Sequence, residues 1–288
     1  MADISAAMVM ELRKMSGQGM MDCKKALQET DGDVQKAMDL LRKKGLATLA
    51  KRAGRETSEG LVVHKNSDDG KTAVLATLCC ETDFVAKSDD FIATADALTD
   101  YALACAADEG ADSVLETEID GKTFGELLTE NVSKTGEKTE VGDYAKFKLD
   151  GPGLICTYIH FNHKVGTMVQ IETNDDATAD IDAIRQTASD IAMHITATKP
   201  LALDKDQIDP ETVEREKAIF AEQVKNKPAN IVDKIVEGKM KKFFAENCLL
   251  QQAFVKDDSK TVEQVLAEAA KEAGGQAGIK RFIRFEVG

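Results

Sequence analysis

The sequence predicts an α+β protein that begins with a separate helical module. Apolar residues recur at helical spacing over roughly the first 45 residues. From Leu61 onward, runs rich in Val, Leu and Thr are typical of strands, and helical patterns alternate with them. The length of 288 residues allows about two domains of ~150 residues each in addition to short modules.

The N-terminal module is predicted to be a bundle of three helices. The first covers residues 4–15, with Met15 on its apolar face, and a Gly-Gln-Gly turn ends it. The second covers residues 22–29. The third covers residues 33–45, from an Asp N-cap to a glycine, and residues 51–55 are predicted to form a linker.

Two α+β halves, each with antiparallel strands and helices, are predicted to follow. In the first half, a turn cluster joins strands 61–65 and 72–80 into a hairpin. Helices at 88–107 and 124–132 complete this half.

The second half is predicted to repeat this outline. Strands are expected at 144–149, 155–162 and 167–172, followed by a helix at 181–197 and a closing strand at 280–287.

Residues 204–247 are predicted to form an inserted antiparallel helical hairpin, a short coiled coil. Pro210 is the expected first residue of one helix, and residues 226–228 form the turn. Lys217 and Gly238 make the seam imperfect. The predicted domains are residues 1–54, 55–141 and 142–288, the last including the hairpin.

Composition argues against several classes of protein. The 51 acidic and 37 basic residues give a net charge of −14, which disfavours a direct nucleic-acid binder. Residues 1–54, however, carry ten basic and seven acidic groups. The six cysteines form no C-x-x-C pair, as expected of reduced thiols in a cytoplasmic protein. We expect no signal peptide and no membrane span. Self-association is possible but cannot be read from the sequence.

Catalytic signatures of the phosphate-loop, dinucleotide-binding and serine-hydrolase types are missing from the sequence. His160 and His163 have H-x-x-H spacing with Cys156 nearby, but on a strand the two rings would point to opposite faces. Cys79 and Cys80 would do the same, and no basic neighbour activates them. We therefore expect no catalytic residue, no metal and no cofactor.

Two segments have unsettled roles. Met20 and Met21 follow a glycine turn and are either core residues or an adaptable contact surface. Phe84 lies between a strand and a helix, and is either tucked into its own core or an interface anchor.

These segments closely resemble signatures of the elongation factor Ts family. Residues 15–27 read MSGQGMMDCKKAL and residues 82–87 read TDFVAK. Further similarity appears in IAMHI at 191–195, VEGKMKKF at 236–243 and FIRFEVG at 282–288, so the resemblance runs in order along essentially the whole chain. It implies a ubiquitin-associated-like three-helix bundle, two α+β subdomains and an inserted hairpin, in agreement with the elements predicted above.

The region around His160 departs from the family pattern. Residues 160–166 read HFNHKVG, where more glycine is expected. The resemblance therefore does not predict where the strand ends and the loop begins in this region.

The resemblance implies a guanine-nucleotide exchange factor of elongation factor Tu, which is not an enzyme. It would bind the GDP complex and disturb the Mg²⁺ and phosphate site, so that GDP leaves and GTP rebinds. The partner-contact residues implied by the resemblance are Thr82, Asp83, Phe84 and Val85 at the Mg²⁺ site, Arg13, Met20, Met21 and Lys24 in the N-terminal module, and His160 in the second half.

Two other function classes remain open. A ubiquitin-associated-type adaptor for another protein would fit the three-helix module, but would not need the Asp83–Phe84 segment. An enzyme would require convergent titratable groups, and the sequence shows no such constellation.

Overall fold

The computed structural model describes residues 4–225 and 227–288, without the side chains of residues 48, 49, 229 and 230. Residue 226 of the predicted hairpin turn lies outside this range. The N-terminal module contains α1 (Ala6–Ser16), α2 (Met20–Glu29) and α3 (Val34–Arg52). Their apolar faces form one cluster that includes Leu12, Leu27 and Leu41. The structure confirms the three-helix bundle.

The predicted end of the third helix at Gly45 is wrong, because α3 continues to Arg52. Gly45 is a packing site: a Cβ built there would lie 3.0 Å from the carbonyl oxygen of Thr129 and 2.9 Å from Oγ of Ser133. The glycine thus allows α3 to approach a helix of the first half. Met15, predicted on the apolar face of α1, is 55% exposed.

The first half contains a three-stranded antiparallel sheet in the order β1-β2-β5, with helices on one face. Its elements are β1 (Glu59–Asn66), β2 (Thr72–Cys80), α4 (Asp83–Ala86), α5 (Asp89–Ala104), α6 (Ala111–Glu116), β3 (Glu118–Ile119), β4 (Lys122–Thr123), α7 (Phe124–Thr135) and β5 (Thr139–Lys148). Strand 144–149 was expected in the second half but belongs to this sheet, because β5 pairs with β2 from end to end. The proposed boundary at 141/142 falls inside β5, and the domain division stays a prediction.

The second half contains a sheet in the order β10-β7-β6. Its elements are β6 (Gly153–Ile159), β7 (Val165–Thr173), α8 (Asp176–Ala179), α9 (Asp182–Thr198), α10 (Pro210–Gln223), α11 (Ala229–Asn247), β8 (Ala253–Phe254), β9 (Asp257–Thr261), α12 (Val262–Glu272) and β10 (Ala277–Glu286). The predicted strand 155–162 was too long, since β6 ends at Ile159 and a turn follows. Helix α12 was not predicted.

The two sheets pack against each other, and helices cover their outer faces. A cluster that includes Val62, Leu75, Phe147 and Met168 fills the space between the sheets. A Cβ at Gly166 would come within 2.7 Å of Val62 Cγ1, so this glycine permits the close approach. Because β2 is covered on both sides, six successive residues of it are buried.

Helices α10 and α11 pack together as the predicted hairpin. Gly238 on α11 has open space at its Cβ position.

The two antiparallel sheets and the helices that cover them confirm the α+β class. Within the described residues, no helix combines the length and the apolar character that a bilayer crossing requires.

Candidate functional site

The short helix α4 presents Phe84 to solvent. The Thr82 side chain caps this helix by accepting a hydrogen bond from the Val85 N–H at 3.4 Å. Ala86 is buried and Val85 packs against the same core cluster, so the inner side of the helix is anchored. The Phe84 side chain is 83% exposed on the other side. The core position considered for Phe84 is therefore excluded, and the segment is helix rather than loop.

Thr82 is held from the opposite side by Glu137. The Glu137 carboxylate accepts from the Thr82 N–H at 3.1 Å and from the Thr82 hydroxyl at 2.9 Å. These contacts fix the start of α4 against the segment that leads into β5. The orientation of Phe84 is thus set by contacts within the chain itself.

Asp83 lies beside Phe84 with a half-exposed side chain, and it already has an intramolecular partner. Lys87 Nζ lies 2.7 Å from Asp83 Oδ2. The hydrogen bond from Lys87 lowers the pKa of Asp83, which is therefore ionised at neutral pH. Since both side chains are exposed, this i,i+4 pair contributes little to stability and can be exchanged for other polar contacts at low cost.

An apolar cleft of about 580 Å³ lies next to α4. Its lining includes Ala86 and Ile92 as well as Ile159 and His163. The cleft therefore connects the neighbourhood of Phe84 with the turn after β6.

His160 lies in this turn, where its N–H donates to the Val165 carbonyl at 2.9 Å. Its ring Nδ1 is 3.2 Å from the Tyr158 hydroxyl, and its ring centroid is 4.4 Å from that of Phe161. His160 and His163 were expected on a strand with their rings on opposite faces, but this placement is wrong, because both residues lie beyond the end of β6. His163 has a φ of 55°, a left-handed conformation that belongs to a turn.

Phe161 was not among the predicted site residues. Its side chain is 85% exposed, and together with Phe84 it is among the most exposed large apolar side chains of the described residues. A signal was available, since Phe161 lies within residues 160–166, the stretch that departs from the family pattern. Phe161 shields one side of the His160 ring.

The N-terminal module presents a separate apolar surface. Met20 and Met21 begin α2 and are 42% and 63% exposed. Arg13 on α1 and Lys24 on α2 are exposed as well. All four side chains are thus available to a partner, and a core role for the two methionines is excluded. Exposed Met10 extends the set of adaptable apolar side chains on this module.

The buried thiols and histidines show no sign of catalytic tuning. Burial raises the pKa of Cys80 to about 12 and that of Cys156 to about 11, which makes both poor nucleophiles at neutral pH. Burial lowers the pKa of His194, whose ring bonds to Gln252. In the part of the chain that the structure describes, no group of three or more His, Cys, Asp or Glu side chains is suited to hold a metal ion.

Comparisons with known proteins find similar sequences over essentially the whole chain. The family described as "Elongation factor TS" matches residues 81–288. An elongation factor Ts from a Nitratiruptor species is 44% identical over 288 residues, covering 99% of this chain and 93% of the relative. One from Clostridium botulinum (strain Eklund 17B / Type B) is 43% identical, with the same two coverages. One from Desulfovibrio desulfuricans (strain ATCC 27774 / DSM 6949 / MB) is 42% identical, covering 100% of this chain and 99% of the relative.

Proposed function

The chain belongs to the elongation factor Ts family, and from this membership we propose that it is the guanine-nucleotide exchange factor of elongation factor Tu. It acts by binding and makes or breaks no covalent bond. The observation that carries the proposal is Phe84, an 83% exposed aromatic residue on a helix that is anchored on its other side. The exchange takes place in the cytoplasm, where translation elongation occurs.

Exchange requires preferential binding of one state of the GTPase. The factor must bind the nucleotide-free state more tightly than the GDP state, and GDP then weakens binding of the factor by the same ratio. Moving a two-state equilibrium from 1:99 to 99:1 takes about 5.5 kcal/mol of differential affinity. A single well-packed anchor supplies on the order of 2 kcal/mol, so several contacts are needed.

The first contact consists of Thr82–Val85, the N-cap and first three residues of helix α4. We call these four residues the α4 segment. We propose that Phe84 inserts between helices of the GTPase domain near its Mg²⁺ ion. Asp83 exchanges its bond with Lys87 for polar groups of the partner. Displacement of the partner's helix removes ligands from Mg²⁺, and the diphosphate of GDP then loses its counter-charge.

Two further contacts supply the rest of the preference for the nucleotide-free state of elongation factor Tu. The N-terminal module contributes Arg13, Met20, Met21 and Lys24, whose exposed side chains combine flexible apolar surface with positive charge. His160 contributes from the second half, and the adjacent Phe161 enlarges that contact.

The test is release of a fluorescent GDP analogue from elongation factor Tu during a chase with unlabelled GDP. Wild-type protein at sub-stoichiometric concentration is expected to accelerate release, and Phe84→Ala is expected to reduce the acceleration by at least tenfold, in line with an anchor worth on the order of 2 kcal/mol. Leu201→Ala is the matched control, because Leu201 is also strongly exposed (61%) but is not among the proposed contacts.

The possible results separate the hypotheses. If folded wild-type protein gives no acceleration, the exchange function is rejected and a ubiquitin-associated-type adaptor becomes the better explanation. If Phe84→Ala retains full activity, the function stands but the proposed role of the α4 segment does not.

A further inference from the structure

We propose that Glu81 is a positioning residue that holds the N-terminal module against the α4 segment, so that both contact surfaces reach the partner at one fixed spacing. This inference rests on the proposed function, since it concerns how two parts of the same binding face are held together. It gives a role to a residue outside the partner-contact set.

Glu81 connects the module to the strand that leads into α4. Its carboxylate accepts hydrogen bonds from Nη1 of Arg52 at 2.6 Å and from Nη1 of Arg55 at 2.9 Å. Arg52 is the last residue of α3, and Arg55 lies in the connection to β1. The Glu81 side chain is only 11% exposed. Because Glu81 directly precedes Thr82, its carboxylate joins the end of α3 to the start of the α4 segment.

The Glu81 carboxylate also accepts a hydrogen bond from the first half. The Lys138 backbone N–H donates to Glu81 Oε1 at 2.7 Å, while the adjacent Glu137 accepts from Thr82. Burial opposes ionisation of Glu81, but the hydrogen bonds from Lys138, Arg52 and Arg55 lower its pKa to about 2. The carboxylate is charged at neutral pH, and bonds from cationic donors to a largely buried acceptor are among the stronger ones in proteins.

Neighbouring contacts hold the connection along its length. Lys138 Nζ donates to the Arg55 carbonyl at 3.1 Å, and the Thr57 hydroxyl donates to Glu140. These contacts place the connection against the start of β5. The residues predicted as a linker thus include the end of α3 and a tethered segment.

A fixed spacing has a functional consequence. When one contact has formed, the second becomes an intramolecular event, and its effective concentration depends on how well the two surfaces are placed. Loosening the junction is therefore expected to weaken affinity without removing either contact.

The structural test measures residual dipolar couplings separately for residues 6–47 and 59–148. In the wild type, one alignment tensor is expected to fit both sets. In Arg52→Ala/Arg55→Ala, which leaves the Glu81 bond to Lys138 intact, α3 still packs on α7. We expect the module to turn about that contact, so that residues 6–47 and 59–148 require two differently oriented tensors. Arg185→Ala/Arg215→Ala is the control, because it removes the same charge from exposed positions on α9 and α10. One alignment tensor should fit both residue sets of this variant, as in the wild type.

The functional test titrates nucleotide-free elongation factor Tu with the same variants. Arg52→Ala/Arg55→Ala is expected to bind about tenfold more weakly, with an unchanged GDP-release rate at saturation. Arg52→Lys/Arg55→Lys, which retains the charges, should recover most of the affinity. One shared tensor in the double-alanine variant, or wild-type affinity despite two tensors, would overturn the proposal. The tensors do not depend on the partner, so failure of the exchange function would be recognised separately.

Discussion

The carboxylate of Glu137 receives both hydrogen-bond donors of Thr82, the backbone N–H at 3.1 Å and the hydroxyl at 2.9 Å. Thr82 in turn caps the helix that carries Phe84. The exposed aromatic is therefore supported through Thr82 by Glu137, which lies 55 positions after Thr82 in the chain.

We predict that Glu137→Ala lowers the free energy of unfolding by about 1–3 kcal/mol, because it leaves the partly buried Thr82 N–H without an acceptor. Urea unfolding would measure the loss, and amide exchange at Val85 should accelerate. Glu130→Ala is the control, since Glu130 forms an exposed pair with Lys122 and its loss should stay within about 0.5 kcal/mol. Equal effects of the two variants would show that Glu137 does not support α4.

We predict that Phe161→Gly weakens binding to nucleotide-free elongation factor Tu by roughly three- to tenfold while the melting temperature barely changes. The reason is that an 85% exposed ring contributes little to the fold but offers apolar area next to His160. Calorimetric titration would give the affinity. Phe91→Ala, at a fully buried position, should instead cost about 3–5 kcal/mol of stability. Unchanged affinity of Phe161→Gly would exclude Phe161 from the interface.

Two helical glycines should respond oppositely to the same substitution. Gly45→Leu is expected to lower the free energy of unfolding by about 1–3 kcal/mol, because its Cβ would press on the backbone of α7 near Thr129. Gly238→Leu is expected to raise it by about 0.5–1 kcal/mol, because Gly238 has open space and leucine favours helix. Chemical denaturation of both variants checks the difference, and a stabilising Gly45→Leu would contradict the packing of α3 on α7.

His194 should make the protein less stable in mild acid. Burial lowers its pKa in the folded state, so the unfolded chain binds the proton more readily. The stability that the neutral His194 ring contributes is fully present above the unfolded-state pKa of about 6.5. It is lost as the pH falls toward the lower pKa of the folded state. The Val255 N–H donates to Nδ1 at 3.2 Å, so Nε2 carries the proton and donates to Gln252.

Urea unfolding between pH 7.5 and 5.5, compared with His194→Gln, would measure this dependence. The variant should be less stable at pH 7.5 but should lose less stability on acidification than the wild type. Ring ¹⁵N spectra should show the Nε2–H tautomer in the folded protein. A His194 ring that titrates near pH 6.5 would refute the prediction.

Several elements could be predicted because their signals are local. The hairpin of β1 and β2 follows from strand composition around a turn cluster, and α10 from a proline at its first position. Helix α12 was missed although its start also has a local signal. Thr261 and Gln264 form a capping box, in which each side chain accepts from the backbone N–H of the other residue.

The sequence by itself determined the α+β class, the order of most elements and the resemblance that leads to the α4 segment, because periodicity, caps and motifs are properties of neighbouring residues. Only the tertiary structure decided that Gly45 lies inside a helix, that β5 joins the first sheet and that Phe84 and Met21 face solvent. These outcomes depend on what packs against each position. That is set by residues far away in the chain, as the contact between Thr82 and Glu137 illustrates.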